Sequence, residues 1–184
     1  TLFRDLYRAC GSRRCLLGLM MFLSPASCFA LTNLFAGMGA DFHAPERWVT
    51  AIGGMGVAGA CSAGCLMGIW LCARMTRRTV YIVTGLCGAA FAVGLIWTPH
   101  TLAAFAAGML GYNFCQGMNY TAFTSLAFEI VGLGNPLAAT QMSLLTASIN
   151  LPISYMTAVD GHMYGAHGLK GMLGMDAGMS VLAG

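Results

Sequence analysis

Four long stretches of this chain contain no Asp, Glu, Lys or Arg, and they limit the folds that the chain can adopt. They cover residues 15–40, 48–73, 79–128 and 130–159. A helix needs about 20 apolar residues to cross the hydrocarbon core of a bilayer, and each stretch is longer than that. A soluble domain carries roughly 25% charged residues, whereas this chain carries 8% and has a mean hydropathy of +0.72. The sequence therefore predicts a membrane protein.

The stretches show no strand-like alternation and are too long for barrel strands, so the predicted fold class is all-α, a polytopic membrane helix bundle. The predicted spans are residues 15–37, 48–72, 79–97, 102–126 and 137–159. Residues 160–171 are rich in glycine and are predicted to form a loop. The last apolar segment, 172–184, is too short to cross. We therefore expect five full transmembrane helices plus a truncated sixth in a bundle over residues 15–184, preceded by a cytoplasmic leader at 1–14.

The basic residues predict an orientation for this bundle. Cytoplasmic loops carry the excess of Lys and Arg in membrane proteins. If the N-terminus is cytoplasmic, the outer loops hold Arg47 and Lys170, and the inner side holds the other basic residues, which are Arg4, Arg8, Arg13, Arg14, Arg74, Arg77 and Arg78. This distribution predicts a multi-pass protein with its N-terminus in the cytoplasm.

The second predicted span carries small residues at every fourth position. Gly56, Ala60, Gly64 and Gly68 lie on one helical face. Small residues at this spacing form a smooth groove against which another helix packs closely. The pattern predicts close helix packing and carries no chemistry.

The fifth predicted span has one polar and one apolar face. The polar face carries Thr140, Ser143, Thr146, Asn150, Ser154 and Thr157, and the opposite face carries Met142, Leu145, Ile149, Ile153 and Met156. An unpaired amide in hydrocarbon costs several kcal/mol. Pro152 removes a backbone hydrogen bond and predicts a kink two residues after Asn150. Such a span needs water or neighbouring helices on its polar side.

The fourth span has a similar polar stripe, formed by Asn113, Gln116, Tyr120 and Thr124. Hydrogen bonds between membrane helices average only about 0.6 kcal/mol. This stabilisation is small compared with the free-energy cost of placing an amide in hydrocarbon. We therefore favour a wet cavity that faces a solute over hydrogen bonding for packing alone.

Two carboxyl groups bracket the fifth span, at Glu129 and Asp160, and Asp176 follows in the last segment. Intramembrane carboxylates are functional candidates, so Glu129 and Asp160 are candidates for ion coupling. Their positions near the expected membrane boundaries favour solvated charges or helix caps over that role.

The sequence contains no pattern that favours an enzyme. All four histidines lie in predicted connectors, no G-x-S-x-G motif occurs, and no phosphate-binding G-x-x-x-x-G-K motif occurs. We therefore expect no catalytic residues, no metal, no cofactor and no nucleic-acid partner.

Several motifs resemble those of a known family. The loop between spans two and three reads Gly68-x4-Ala73-Arg74-x-x-Arg77-Arg78, which resembles the basic signature of major facilitator superfamily transporters, with Ala73 in place of the usual acidic residue. The stretches SPASCFALTN (24–33), DFHAPER (41–47), FEIVGLGNPLAATQ (128–141), LPISYM (151–156) and VDG (159–161) resemble the C-terminal half of its muropeptide-permease-like (AmpG-like) branch.

The resemblance implies a twelve-helix transporter of the bacterial inner membrane, of which this chain supplies the last six helices. It implies a small solute as substrate, muropeptide-like in the founding members, a coupling proton, the lipid bilayer as environment, and a missing N-terminal six-helix half as partner. It also implies that Gly68, Arg74, Arg77 and Arg78 form a cytoplasmic gating loop.

We therefore predict a secondary active transporter that works by alternating access. The residues predicted to contact the solute are Asn113, Gln116, Tyr120, Gln141, Asn150 and Tyr155. The alternative is a non-transporting membrane subunit or sensor whose polar helix faces bind partner helices.

Overall fold

The computed structural model describes residues 11–132 and 134–184, and within them the chain is helical. The helices are α1 (Arg13–Leu23), α2 (Phe35–Met38), α3 (Glu46–Arg74), α4 (Arg77–Trp97), α5 (Leu102–Val131) and α6 (Ala138–Ala183), with a 3₁₀ turn at Ala30–Asn33 before α2. No strand occurs in the described part of the chain. The all-α prediction is confirmed there, and residues 1–10 of the predicted leader lie outside the described residues.

The predicted count of five full spans is wrong for the described residues. Three helices are long and apolar enough to cross a membrane, namely α3, α4 and α6. The first predicted span breaks after Leu23, where Pro25 lacks the N–H that a helix needs. The fourth, α5, is long but carries buried amides such as Asn113 and Asn119, which lower its hydropathy.

The predicted loop at residues 160–171 is helical, which is a second correction. Two helical arms that meet at Gly168, together called α6, cover the predicted fifth span, this loop and the last segment. The backbone keeps helical angles at Pro152, where a kink was predicted. At Gly168 it adopts φ 65° and ψ −161°, a conformation that is almost exclusive to glycine.

Helix α6 folds back on itself at Gly168. The Tyr155 hydroxyl donates to the carbonyl of Leu23 (3.0 Å), and the Ser24 hydroxyl donates to the carbonyl of Ala183 (3.5 Å). A straight helix would separate residues 155 and 183 by about 42 Å, yet they contact consecutive residues. The two arms of α6 are therefore antiparallel.

Helices α3 and α5 pack with their backbones in close contact. A Cβ atom added at Gly64 would overlap the carbonyl of Phe114, one at Gly68 would lie 2.9 Å from the carbonyl of Met118, and one at Gly117 would overlap the carbonyl of Cys61. The small-residue groove predicted on the second span is confirmed, and its partner is α5.

The bundle has two chemically different ends. At one end, called here the basic end, Arg77 of α4 forms an ion pair with Glu129 of α5 at 2.6 Å, and Arg14 and Arg78 line one groove. At the opposite end, the Tyr164 hydroxyl donates a hydrogen bond to Oδ2 of Asp41 (2.6 Å). The backbone carbonyl oxygen of Asp41 lies 2.9 Å from Nδ1 of His100. The start of α4 and the end of α5 therefore lie at the same end of the bundle.

Candidate functional site

A polar crevice lies between α5, the first arm of α6 and the segment that follows α1. Its volume is about 280 Å³. The lining combines amides and hydroxyls with aromatic and aliphatic groups, from Ser27, Cys28, Phe29, Gln116, Asn119, Tyr120, Phe123, Thr146, Ile149, Asn150 and Ile153. Its lining includes no Lys, Arg, Asp or Glu of residues 11–132 and 134–184. Three of the predicted solute contacts, Gln116, Tyr120 and Asn150, are thus brought together.

The 3₁₀ turn after α1 connects to the amides of α5 through Thr32. The Thr32 hydroxyl lies 3.2 Å from Oε1 of Gln116 and 3.4 Å from Oδ1 of Asn113. Asn113 is fully buried and its Nδ2 donates to the carbonyl of Met109 on its own helix (2.8 Å). Asn113 therefore lies behind the crevice and positions Thr32, whereas Gln116 reaches the lining.

Asn119 holds α5 against α4. Its Nδ2 donates to the carbonyl of Tyr81 (2.9 Å) and to the hydroxyl of Thr84 (3.1 Å), and the side chain is buried. These bonds satisfy both amide hydrogens. Asn119 borders the crevice but its donors are used for helix packing.

Asn150 and Tyr120 leave polar groups open to the crevice. The Nδ2 of Asn150 donates to the carbonyl of Thr146 on the same helix (3.0 Å), and the residue is exposed. Tyr120 is 59% exposed and its ring packs against Phe123 at a centroid distance of 6.2 Å. No other helix of the described chain holds either side chain through a hydrogen bond, so both are available to a ligand.

The two faces of the first arm of α6 are sorted as predicted. Leu145 and Met156 are buried in the bundle, while the polar face that carries Thr140, Ser143, Thr146, Asn150 and Ser154 is exposed. Tyr155 lies beside this face and reaches back to α1. The bundle therefore presents a polar helix face on its outside.

Gln141 lies outside the crevice. It is buried near the start of α6, and its Oε1 accepts a hydrogen bond of 2.5 Å from Nδ2 of Asn135. Asn135 also accepts from the backbone N–H of Leu137 (2.9 Å). This geometry places Gln141 in the connection between α5 and α6 rather than in a solute site.

A pair of carboxyl groups lies inside the bundle. Asp160 is 0% exposed and Asp176 is 1% exposed. The hydroxyl of Tyr112 lies 3.2 Å and 3.4 Å from the two oxygens of Asp176, whereas neither oxygen of Asp160 has a hydrogen-bond partner among the residues that the structure describes. Asp160 and Asp176 interact electrostatically with each other and with the neighbouring Cys28.

The pair lies deep in the bundle. Tyr112 is ten residues into α5, about 15 Å along its axis. Asp160 was expected near a membrane boundary and Asp176 at a shallow position, because each follows or precedes a glycine-rich stretch. The sequence signal that would have located them is their spacing, eight residues on either side of Gly168.

The other predicted residues lie at the basic end. Glu129 is half-exposed and pairs with Arg77, so it faces water rather than the interior. The Arg74 guanidinium lies 4.2 Å from the centre of the Trp70 ring, a cation–π contact. Among the described residues, no group of three or more His, Cys, Asp or Glu side chains is arranged to hold a metal ion.

Comparisons of the chain with known protein families, with curated proteins and with solved structures found no match.

Proposed function

We propose that this chain forms one half of a secondary transporter that moves a small solute across a membrane by alternating access. The observation that carries the proposal is the crevice that Gln116, Tyr120 and Asn150 line between apolar helices. An amide in hydrocarbon costs several kcal/mol unless it is paired or hydrated. Among the described residues Asn150 bonds only within its own helix, so packing inside this bundle does not explain its presence, whereas a water-filled pathway would.

The exposed polar face of α6 supports a second bundle on that side. Substrates of such transporters bind near the midplane between two bundles of helices. We propose that an N-terminal six-helix half, as the major facilitator resemblance implies, covers Asn150, Ser154 and Tyr120 and encloses the crevice. The lining offers amides, hydroxyls and aromatic rings without a charged group, which suits a solute rich in hydroxyl and amide groups, such as the sugar part of a muropeptide.

The buried carboxyl pair supports proton coupling. An ionised carboxylate without partners is costly in a low-dielectric interior, and a bound proton removes its charge. No hydrogen-bond partner for Asp160 lies among the described residues, and its neighbour Asp176 is also acidic. We place the coupling proton on this pair rather than on Glu129, whose charge is already balanced by Arg77.

Labelling of introduced cysteines from each side of the membrane tests the proposal. Gln116→Cys and Asn150→Cys are made in the full-length protein, with accessible native cysteines replaced by alanine. Alternating access predicts that a membrane-impermeant maleimide reacts at both positions when it is applied from either side. Protection of both positions from both sides would contradict transport and favour a subunit whose polar faces bind partner helices. Leu66→Cys on the outer face of α3, 70% exposed to the surroundings of the bundle, is the lipid-facing control and should stay unlabelled.

A further inference from the structure

A second groove lies at the basic end, between the first turns of α1 and α4 and the last turns of α5. Its volume is about 200 Å³. Two arginines, Arg14 and Arg78, line it together with the apolar side chains of Leu17, Met21, Leu126 and Ile130. The groove thus combines cationic groups with an apolar wall.

The positive charges of this groove are unbalanced within the described part of the chain. Arg14 and Arg78 form no ion pair there. Glu129, the acidic residue described at this end, forms its ion pair with Arg77. Each free arginine lies in the first turn of its helix, where the helix dipole adds positive potential. Both features favour an anion beside the two guanidinium groups.

The apolar wall selects the kind of anion. Leu17 is half-exposed and follows Arg14 by one helical turn, so it lies deeper along α1 than the arginine. A free anion makes no use of this wall. A phospholipid uses both parts, since its phosphate meets the arginines while an acyl chain lies along Leu17 and Met21.

We infer that this groove is a binding site for an anionic phospholipid, with the phosphate between Arg14 and Arg78 and one acyl chain against the apolar wall. The site is separate from the crevice and does not depend on transport. It would tie α1 to α4 and α5 at the membrane surface.

Native mass spectrometry of the purified full-length protein tests the site, with phosphatidylglycerol and phosphatidylcholine as probes. The wild type should retain phosphatidylglycerol in preference to phosphatidylcholine. A basic residue near a membrane surface contributes about 1 kcal/mol, so the double variant Arg14→Gln, Arg78→Gln should bind phosphatidylglycerol about 30-fold more weakly. Arg13→Gln is the matched control, because Arg13 is the neighbouring arginine of the same helix turn and does not line the groove.

A second variant tests the acyl-chain part. Leu17→Trp fills the groove and keeps both arginines, and it should also lose the lipid. Equal losses of phosphatidylglycerol binding in Arg13→Gln and in the double variant would contradict the site. Full retention of the lipid in the double variant or in Leu17→Trp would also contradict it. Displacement of the lipid by an equal concentration of inorganic phosphate would show a free-anion site and would also overturn the inference.

Discussion

The carboxyl groups of Asp160 and Asp176 interact inside the bundle although sixteen positions separate them in sequence. The reversal of α6 at Gly168, midway between them, brings the two residues to the same depth. Tyr112 of α5 lies beside Asp176, and Cys28 is the other titratable group near the pair. Within the part of the chain that the structure describes, no basic residue balances the charge of this cluster, and the first prediction follows from that.

Asp160→Asn should make the protein less sensitive to alkaline pH. In the wild type, loss of the proton leaves an unpaired charge in the interior, so stability should fall between pH 5 and pH 8, by about 1–3 kcal/mol for one unsatisfied buried group. The amide carries no charge at either pH, so the variant's midpoint of thermal unfolding should lose the part of this pH dependence that comes from Asp160, while the buried carboxyl of Asp176 keeps its own contribution. Glu129→Gln, which changes a half-exposed ion pair, is the control and should follow the wild type. Parallel pH profiles for wild type and Asp160→Asn would contradict a proton on this pair.

Gly168→Ala should destabilise the reversal of α6. The positive φ and extended ψ of this residue cost a residue with a Cβ atom about 1–3 kcal/mol. Gly165 lies one turn earlier in regular helix, with open space around it, and Gly165→Ala should be neutral or stabilising by up to about 1 kcal/mol. Thermal unfolding of the two variants measures this contrast. Equal effects would mean that the chain does not reverse at Gly168.

Gly117→Leu should separate α3 from α5. A side chain at this position meets the backbone at Cys61, and overpacking of this kind costs about 1–3 kcal/mol or more. Gly59→Leu introduces the same side chain on α3 where no atom lies within 4 Å. We expect a lower unfolding temperature for Gly117→Leu alone, measured in one detergent for both variants. A harmless Gly117→Leu would rule out the close packing of these helices.

Asn119→Ala and Asn150→Ala should have opposite consequences. Asn119 bonds across to α4, so its loss should cost about 0.6–1.7 kcal/mol of stability. Asn150 bonds only to its own helix, so its loss should leave stability unchanged and impair solute uptake. Unfolding temperature and proton-driven uptake, measured on both variants in the same vesicles, separate the two roles. Loss of stability in Asn150→Ala with normal uptake would assign Asn150 to packing.

Much of the helix arrangement could be predicted because it depends on local patterns. The four-residue spacing around Gly64 predicts close packing. The polar and apolar faces of α6 follow from a period of 3.6 residues. These features are properties of single helices, which a sequence displays directly.

The errors arose where one residue changed the course of the backbone. Residues 160–171 contain several glycines and suggest a loop, yet only Gly168 leaves the helical conformation. The depth of Asp160 and Asp176 depends on that position, so their equal spacing from Gly168 locates the buried pair only once the reversal is known. Gln141, one of the predicted solute contacts, lies at a helix start, where its Oε1 accepts a hydrogen bond from Asn135.

The polarity of the surroundings of Asn150 tests the central claim most directly. A spin label at position 150 of the full-length protein in lipid vesicles is exposed either to a water-soluble nickel complex or to oxygen, which partitions into lipid. We expect the spin label to collide mainly with the nickel complex at position 150. At position 66, on the lipid-facing side of α3, we expect it to collide mainly with oxygen. Preference for oxygen at both positions would place Asn150 against acyl chains and contradict a solute pathway past α6.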